Sequence, residues 1–259
     1  MSNEFECFEL MENIYQIKDE AGNCSTLVVG NKMAILFDTM IGLGDLKAYI
    51  EKITSLPLMV INSHGHFDHT GGNYQFDKVY LNRKDWGLLT SNELNLPIIQ
   101  KNYRKEVLQC IESFRMHDRV FDITPGELID LGGMKLEVIS LPGHTAGSIG
   151  LLCIEKRILL AGDAFTPQMC LFFPESLSVE EYSQTLEYVM KQEFDFFVLG
   201  HHTRLFKKDV IRQFAECTKL PKRGRGYPFE YSIMPQYKGK LYILNRDKEL
   251  GEIICIITK

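Results

Sequence analysis

The sequence contains few of the features that mark secreted or membrane proteins. No apolar run approaches the length of a bilayer span, so no membrane contact is expected. The first six residues are polar and acidic, without the basic and apolar segments of a signal peptide. The seven cysteines are scattered from Cys7 to Cys255 and form no Cys-x-x-Cys pair. This pattern predicts reduced thiols in a cytoplasmic protein rather than a disulfide framework.

Positive charge is also scarce. The 29 Lys and Arg residues are outnumbered by 34 Asp and Glu residues, which gives a formal net charge of −5. The chain therefore lacks the overall basic field that favours nucleic-acid binding. Its 259 residues, 45% of them hydrophobic, can bury a large core, and single α/β domains reach this size.

Four potential metal ligands lie between residues 64 and 69: His64, His66, Asp68 and His69. The apolar run before them, residues 57–61, is typical of a buried strand, and residues 70–73 favour a turn that opens a short helix. In a near-extended chain His64 and His66 point to the same side and can share one metal, whereas a helix would separate them by about 200°. Asp68 and His69 point apart and can reach a second metal. The cluster indicates a metal site.

Three further candidate ligands each follow an apolar, strand-like run. His144 follows residues 136–141, Asp163 follows residues 157–161, and His201 follows residues 194–199. Loops past the carboxyl ends of strands are where open α/β sheets collect their sites. We therefore expect these side chains beside the first cluster, where an aspartate such as Asp163 can bridge two cations.

The ordered motifs HxHxDH, PGHT, GD and a late GH resemble the metallo-β-lactamase superfamily, and its glyoxalase-II-like branch best. The resemblance covers about residues 13–215 and implies an α/β fold, an αββα sandwich, with a dinuclear site at one edge. It assigns His64, His66 and His144 to one metal, Asp68, His69 and His201 to the other, and Asp163 to both. Residues 1–219 are predicted to form this domain, with residues 220–259 as a β extension packed on it.

Two positions need separate comment. The late motif of the family usually reads GHG, whereas this chain has Gly200-His201-His202, and we expect His201 to be the ligand because it follows the glycine directly. Asp38 matches a family aspartate that supports the ligand loop, although a simple turn-forming aspartate is an alternative.

The loop after Asp163, residues 164–174, is unusually apolar for a segment beside a charged site. One interpretation is that Phe165, Met169, Phe172 and Phe173 wall an apolar pocket next to the metals, which favours substrates with a hydrophobic acyl or aryl part. The alternative is that these side chains pack into the core or cover a subunit interface, so a homo-oligomer is left open.

Regular elements are predicted along the whole chain. We expect helices at 44–54, 83–91, 97–114, 179–192 and 207–218. Strands are expected near 13–17, 24–30, 33–38, 58–62, 78–81, 135–140, 148–154, 157–162 and 194–199. A terminal hairpin is expected at 240–245 and 252–258. Ser178 and Glu181 form a capping box at the start of the helix at 179–192.

The basic stretch from Lys222 to Arg225 is either an anion site or a solvated linker.

The predicted ligands imply a hydrolase. A His/Asp set without cysteine suits two divalent ions, zinc first and iron or manganese as alternatives. Such ions supply a metal-bridging hydroxide for attack on a carboxylic ester, thioester or lactone of a small-molecule substrate, with Asp68 as both ligand and catalytic proton acceptor. A phosphodiesterase or nuclease of the same superfamily is the alternative, and the negative charge disfavours it. A non-hydrolytic metal-binding or redox protein is a third possibility, but flavodiiron redox relatives carry glutamate where His66 stands.

Overall fold

Seven strands form the first sheet of the computed structural model, which describes residues 5–94, 117–224, 226–232 and 234–259. In spatial and chain order they are β1 (Phe5–Met11), β2 (Ile14–Asp19), β3 (Cys24–Val29), β4 (Ala34–Phe37), β5 (Leu58–Ile61), β6 (Val79–Tyr80) and β7 (Val120–Phe121). Strands β1 to β4 are antiparallel neighbours, and β4 to β7 are parallel. The carboxyl ends of the parallel strands therefore meet at one edge, where the chain leaves β5 for the first histidine cluster.

Six strands form the second sheet. They are β8 (Leu128–Asp130), β9 (Lys135–Ser140), β10 (Ile149–Cys153), β11 (Ile158–Leu160), β13 (Phe196–Val198) and β14 (Phe206–Lys207), while β12 (Gln168–Leu171) joins a third sheet. The spatial order is β14-β13-β11-β10-β9-β8, and β11 runs parallel to β13. The loops after β11 and β13 consequently leave the second sheet at the same edge.

The two sheets pack face to face around a buried aliphatic core. Ile35 and Ile61 of the first sheet share one cluster with Leu151 and Leu160 of the second. The described helices are α1 (Leu46–Glu51), α2 (Phe67–Thr70), α3 (Trp86–Leu94), α4 (Val179–Met190), α5 (Ile211–Cys217) and α6 (Leu220–Arg223). Helix α1 packs on the outer face of the first sheet, and α4 and α5 pack on that of the second. The predicted αββα sandwich is confirmed.

The start of α4 follows the sequence pattern. The Ser178 hydroxyl accepts a hydrogen bond from the Glu181 backbone N–H at 3.2 Å, and the Glu181 carboxylate accepts one from the Ser178 N–H at 3.0 Å. The predicted capping box is confirmed, and it satisfies two backbone donors that the first helical turn leaves unpaired. Tyr182, Leu186 and Val189 then form the buried face against the second sheet.

A third sheet covers the carboxyl edge. Its order is β12, β17 (Ile253–Thr258), β16 (Lys238–Arg246) and β15 (Tyr227–Glu230). The terminal hairpin expected at 240–245 and 252–258 is present as β16 and β17. Strand β12, which the sequence pattern does not predict, pairs in parallel with β17. The last strand of the chain is thereby joined to the loop that follows Asp163.

Several predicted elements differ in extent. The helix expected at 44–54 spans only residues 46–51, and the one expected at 207–218 begins as a short strand and a 3-10 turn before α5. The helix predicted at 97–114 lies outside the described residues, as does Arg225. Lys222 and Arg223, the first residues of the basic stretch, lie in α6. Among the helices that the structure describes, none has both the length and the apolar character needed to cross a membrane.

Candidate metal centre

The seven predicted ligands converge at the edge where strands of both sheets end. His64 and His66 follow β5, His144 follows β9, Asp163 follows β11 and His201 follows β13. The ligand atoms form two sets, in each of which they lie within 4.8 Å of one another: group one is His64, His66 and His144, and group two is Asp68, His69, Asp163 and His201. This division matches the one implied by the resemblance, with Asp163 placed in group two. Metal binding by these residues stays a prediction.

Three ring nitrogens face one another in group one. His66 Nδ1 lies 3.1 Å from His64 Nε2 and 3.0 Å from His144 Nε2. Nitrogen ligands about 2.0–2.1 Å from a shared zinc, in a tetrahedral arrangement, lie about 3.3 Å apart. The spacing in group one therefore fits a single cation.

The outward nitrogens of two of these rings bond to acceptors of the protein. His144 Nδ1 donates to the backbone carbonyl of Cys170 at 2.9 Å, and His66 Nε2 donates to Glu175 Oε1 at 2.5 Å. A carbonyl or carboxylate oxygen can only accept, so each ring carries a proton on its outward nitrogen. The inward nitrogen then presents its lone pair, which is the form that binds a metal. No pattern in the sequence around Glu175 predicts its contact with His66.

Asp38 orients one imidazole in each group. Its Oδ2 accepts from His69 Nδ1 at 2.9 Å and from Ser63 Oγ at 2.9 Å, while Oδ1 accepts from the Ser63 N–H at 2.7 Å. Because the Ser63 hydroxyl donates its proton to Asp38, its oxygen accepts a hydrogen bond from His64 Nδ1 at 2.9 Å. The neutral His64 ring therefore carries no proton on Nε2. Asp38 therefore supports the ligand loop as the resemblance implies, and its φ of 71° shows that it also makes the turn after β4.

Group two combines two imidazoles with two carboxylates. Asp163 Oδ2 lies 3.1 Å from His201 Nε2 and 3.5 Å from His69 Nε2, and Asp68 Oδ2 lies 3.4 Å from His201 Nε2. His69 Nε2 and Asp163 Oδ1 are buried and have no hydrogen-bond partner. Buried polar atoms are almost always satisfied, so unpartnered atoms on two residues of group two fit a centre that binds a cation.

The two groups differ in their electrostatics. Burial, followed by repulsion from neighbouring imidazoles, holds the pKa of His64 well below its ordinary value and lowers the pKa of His144 to about 4. Burial also opposes a proton on His201, but the carboxylates of Asp163 and Asp68 outweigh it and raise its pKa to about 10. In group one, burial likewise opposes a proton on His66, but the bonded carboxylate of Glu175 outweighs it and raises the pKa of His66. His64 and His144 are thus the neutral imidazoles of group one, whereas group two favours positive charge.

Gly200 is needed where group two is most crowded. A Cβ at this position would lie 2.5 Å from His69 Cε1 and 2.6 Å from Asp163 Oδ1, closer than any side chain permits. The Gly200 carbonyl accepts from the Cys24 N–H at 2.7 Å, which ties the loop to the start of β3. The glycine that distinguishes His201 from His202 in the sequence therefore allows His201 to enter the centre.

Asp85 joins two loops that carry group one and was not predicted from the sequence. Its Oδ2 accepts from the Gly65 N–H at 3.0 Å and from Thr145 Oγ1 at 2.6 Å, and its Oδ1 accepts from the Gly147 N–H at 2.7 Å. Asp85 is 1% exposed, so these bonds are shielded from water. Its place shortly after β6, at the same sheet edge, is the signal that could have identified it.

His202 points away from group two. Its Nε2 lies 3.1 Å from Glu252 Oε1, the same oxygen that accepts from Arg204 Nη2 at 3.0 Å. These contacts connect the loop after β13 to the turn before β17. His201, not His202, lies in the centre, as expected.

Lys222 pairs with Glu180, and the described part of the basic stretch does not line the cavity beside the centre.

A cavity of about 840 Å³ opens over both groups. Phe172 and Phe173 line it as expected, but the prediction for Phe165 and Met169 is wrong. Both are buried in the core under the second sheet, where Phe165 packs on Phe197 at 5.2 Å between ring centroids. The remaining aromatic wall comes from the third sheet and the turn between β15 and β16, namely Phe229, Tyr231 and Tyr237.

Known proteins resemble this chain in sequence and fold. The profile described as metallo-beta-lactamase superfamily matches residues 19–201. Human acyl-coenzyme A thioesterase MBLAC2 is 30% identical over 178 residues, 60% of this chain and 62% of that protein. Hydroxyacylglutathione hydrolase GloC of Haemophilus influenzae is 31% identical over 144 residues, 54% of this chain and 65% of that protein. The matches thus span less than two thirds of either relative. A metallo-beta-lactamase from Pontibacter korlensis has the same fold, with a TM-score of 0.60 at 15% identity, over 83% of this chain and 99% of that one.

Proposed function

The chain belongs to the metallo-beta-lactamase superfamily, whose profile covers most of its length, and from this premise we propose that it is a metal-dependent hydrolase of a carboxylic ester, thioester or lactone. One observation carries the proposal. In group one, the inward ring nitrogens of three histidines face one another, and in group two His69 Nε2 and Asp163 Oδ1 have no hydrogen-bond partner among the described residues. A metal cation in each group would satisfy these donor atoms together.

The donor set fits two divalent ions. Group one would hold one and group two the other, and Asp163, which lies in group two, would be the residue shared between them. Nitrogen and oxygen ligands without a thiolate suit zinc, iron or manganese, and we propose zinc. When bound, such ions lower the pKa of water towards neutrality and polarise a carbonyl oxygen.

Asp68 is the proposed proton acceptor. Its side chain is 35% exposed and lines the cavity, whereas that of Asp163 is only 13% exposed. A carboxylate that faces both the centre and the cavity can take the proton of the attacking water and return it to the leaving group. Burial opposes its charge, but the neighbouring imidazoles of His69 and His201 outweigh this and hold the pKa of Asp68 well below its usual range, so Asp68 is ionised.

The cavity supports acyl rather than phosphodiester substrates. No Lys or Arg is found among its described lining residues, and proteins that act on nucleic acid depend on such cations to contact phosphates. Two relatives are named as an acyl-coenzyme A thioesterase and a hydroxyacylglutathione hydrolase, which favours carbonyl chemistry at this centre too.

The test is hydrolysis by metal-reconstituted protein of p-nitrophenyl acetate, an acyl thioester and bis-p-nitrophenyl phosphate. We expect turnover of an ester or thioester that a chelator abolishes and added metal restores. His66→Ala should abolish it too, because it removes an imidazole of group one. Preferential cleavage of the phosphodiester, or ester hydrolysis that survives both the chelator and His66→Ala, would refute the proposal.

A further inference from the structure

An aromatic cluster extends from the metal centre to the third sheet. The Phe173 ring lies 5.3 Å from that of His66 and 5.7 Å from that of His144, between centroids. It also lies 5.5 Å from the ring of Tyr237. Phe172 continues the cluster, with its ring 4.2 Å from that of Phe173 and 5.1 Å from that of Phe229. One continuous apolar wall therefore begins at group one and ends on β15.

Away from the metal centre, the aromatic wall carries no Lys or Arg among the lining residues that the structure describes. Among the described lining residues, the carboxylates outside the two ligand groups are Glu175 and Glu252, and each is already bonded to a histidine. An anionic acyl group would find no counter-charge there, and its desolvation would go uncompensated. An uncharged, apolar group suits the wall, because burying it releases water from aromatic surface.

Much of the wall lies outside the part of the chain that defines the family. The superfamily profile ends at residue 201, whereas Phe229, Met234, Tyr237 and Ile257 all line the cavity from beyond it. The candidate ligands, Phe172 and Phe173 thus lie within the matched segment, and the rest of the aromatic wall is added by residues beyond it.

We propose that the pocket walled by Phe172, Phe173, Phe229 and Tyr237 binds the acyl or aryl part of an uncharged, hydrophobic substrate, and that residues 227–257 set its specificity. This inference rests on the proposed function for the bond that is cleaved. Any charged portion of the leaving group would remain outside the pocket. Each methylene of the acyl chain that enters should raise kcat/KM by up to roughly fourfold, the factor that corresponds to about 0.8 kcal/mol.

The experiment is a p-nitrophenyl ester series from acetate to octanoate, run on the full chain and on two alanine variants. Tyr237→Ala removes part of the wall, and Tyr227→Ala is the matched control, because Tyr227 is 63% exposed on β15 and does not line the cavity. We expect kcat/KM to rise along the series, and the octanoate-to-acetate ratio to fall about tenfold or more in Tyr237→Ala. The ratio should be unchanged in Tyr227→Ala. Phe229→Ala provides a second test should Tyr237→Ala fail to fold.

Binding of neutral alcohols separates this inference from the proposed function. In calorimetry, 1-octanol should bind more tightly than 1-butanol, and Tyr237→Ala or Phe229→Ala should abolish the difference. Preferential octanol binding without hydrolysis of any ester or thioester would retain the pocket and overturn the hydrolase. Ester hydrolysis with a flat acyl series, or with the same octanoate-to-acetate ratio in all folded variants, would overturn the pocket.

Discussion

Asp38→Asn should weaken both halves of the metal centre at once. Asn tolerates the left-handed backbone at this position, where φ is 71°, so the change is nearly isosteric. The amide oxygen can still accept from the Ser63 N–H, but the amide NH2 then faces Ser63 Oγ and His69 Nδ1. His69 must accept at Nδ1 and carry its proton on Nε2, the nitrogen that faces group two. The Ser63 oxygen then accepts a hydrogen bond from the new amide, and the Ser63 hydroxyl can donate its own proton to His64 Nδ1. The ring proton of His64 would then move to Nε2, the nitrogen that faces group one.

The magnitude follows from the number of contacts reversed. Asp38 accepts three hydrogen bonds, two from Ser63 and one from His69. The substitution keeps one and reverses two. Loss of a group that orients a metal-bound histidine typically costs about 10–100-fold in metal affinity, or about 1.4–2.7 kcal/mol. We expect this loss at group two, which Asp38 contacts directly, and a loss at the lower end of the range at group one.

Zinc titration in competition with a chromophoric chelator measures both affinities. Asp85→Asn is the matched control, since Asp85 is a buried carboxylate that accepts three hydrogen bonds but contacts no ligand imidazole. It should weaken group one only, because Gly65 and Thr145 belong to the loops of that group. An Asp38→Asn protein that binds two zinc ions with unchanged affinity would show that Asp38 only makes a turn. Equal effects of the two variants on both sites would show general loosening of the fold.

Three further outcomes are expected. Elemental analysis of protein purified without a chelator should give about two equivalents of zinc, iron and manganese combined, and a value near zero in active protein would contradict the dinuclear centre. His201→Ala should remove about one metal equivalent and most activity. His202→Ala should keep both metal equivalents, since His202 bonds to Glu252. The reverse pattern of metal loss would show that His202 is the ligand. Ser178→Ala should lower the free energy of unfolding by about 1 kcal/mol in urea denaturation, because it removes the capping box of α4, and an unchanged midpoint would contradict this.

The fold and the convergence of the candidate ligands could be predicted because both follow from local signals. His64, His144, Asp163 and His201 each follow a strand, and a strand is detected from a few neighbouring residues. Once the strands lie in the expected sheets, their carboxyl ends bring these side chains together. Gly200 reinforced the choice of His201, since only glycine fits against His69 and Asp163.

The supporting residues could not be predicted, because they depend on packing between distant segments. Glu175 meets His66 only when the loop after β12 folds over the centre, and nothing beside Glu175 in the sequence indicates that contact. Phe165 and Phe172 lie in the same apolar loop, yet one enters the core and the other lines the cavity. Composition shows that such a loop is apolar but not which face each side chain takes. Strand β12 lies between the two residues and pairs with β17, and it carries no pattern of its own that predicts this pairing.

That pairing has a consequence for the nascent chain. All seven predicted ligands have been synthesised once His201 is added, but β17 ends only at Thr258. At elongation rates of about 5–20 residues per second, several seconds separate the two events. During that interval the candidate ligands can come together while β12 still lacks its partner and the cavity lacks its outer wall. On the proposed function, an elongating chain would thus be able to hydrolyse substrates before its cavity wall could select among them. Addition of β17 would complete that wall.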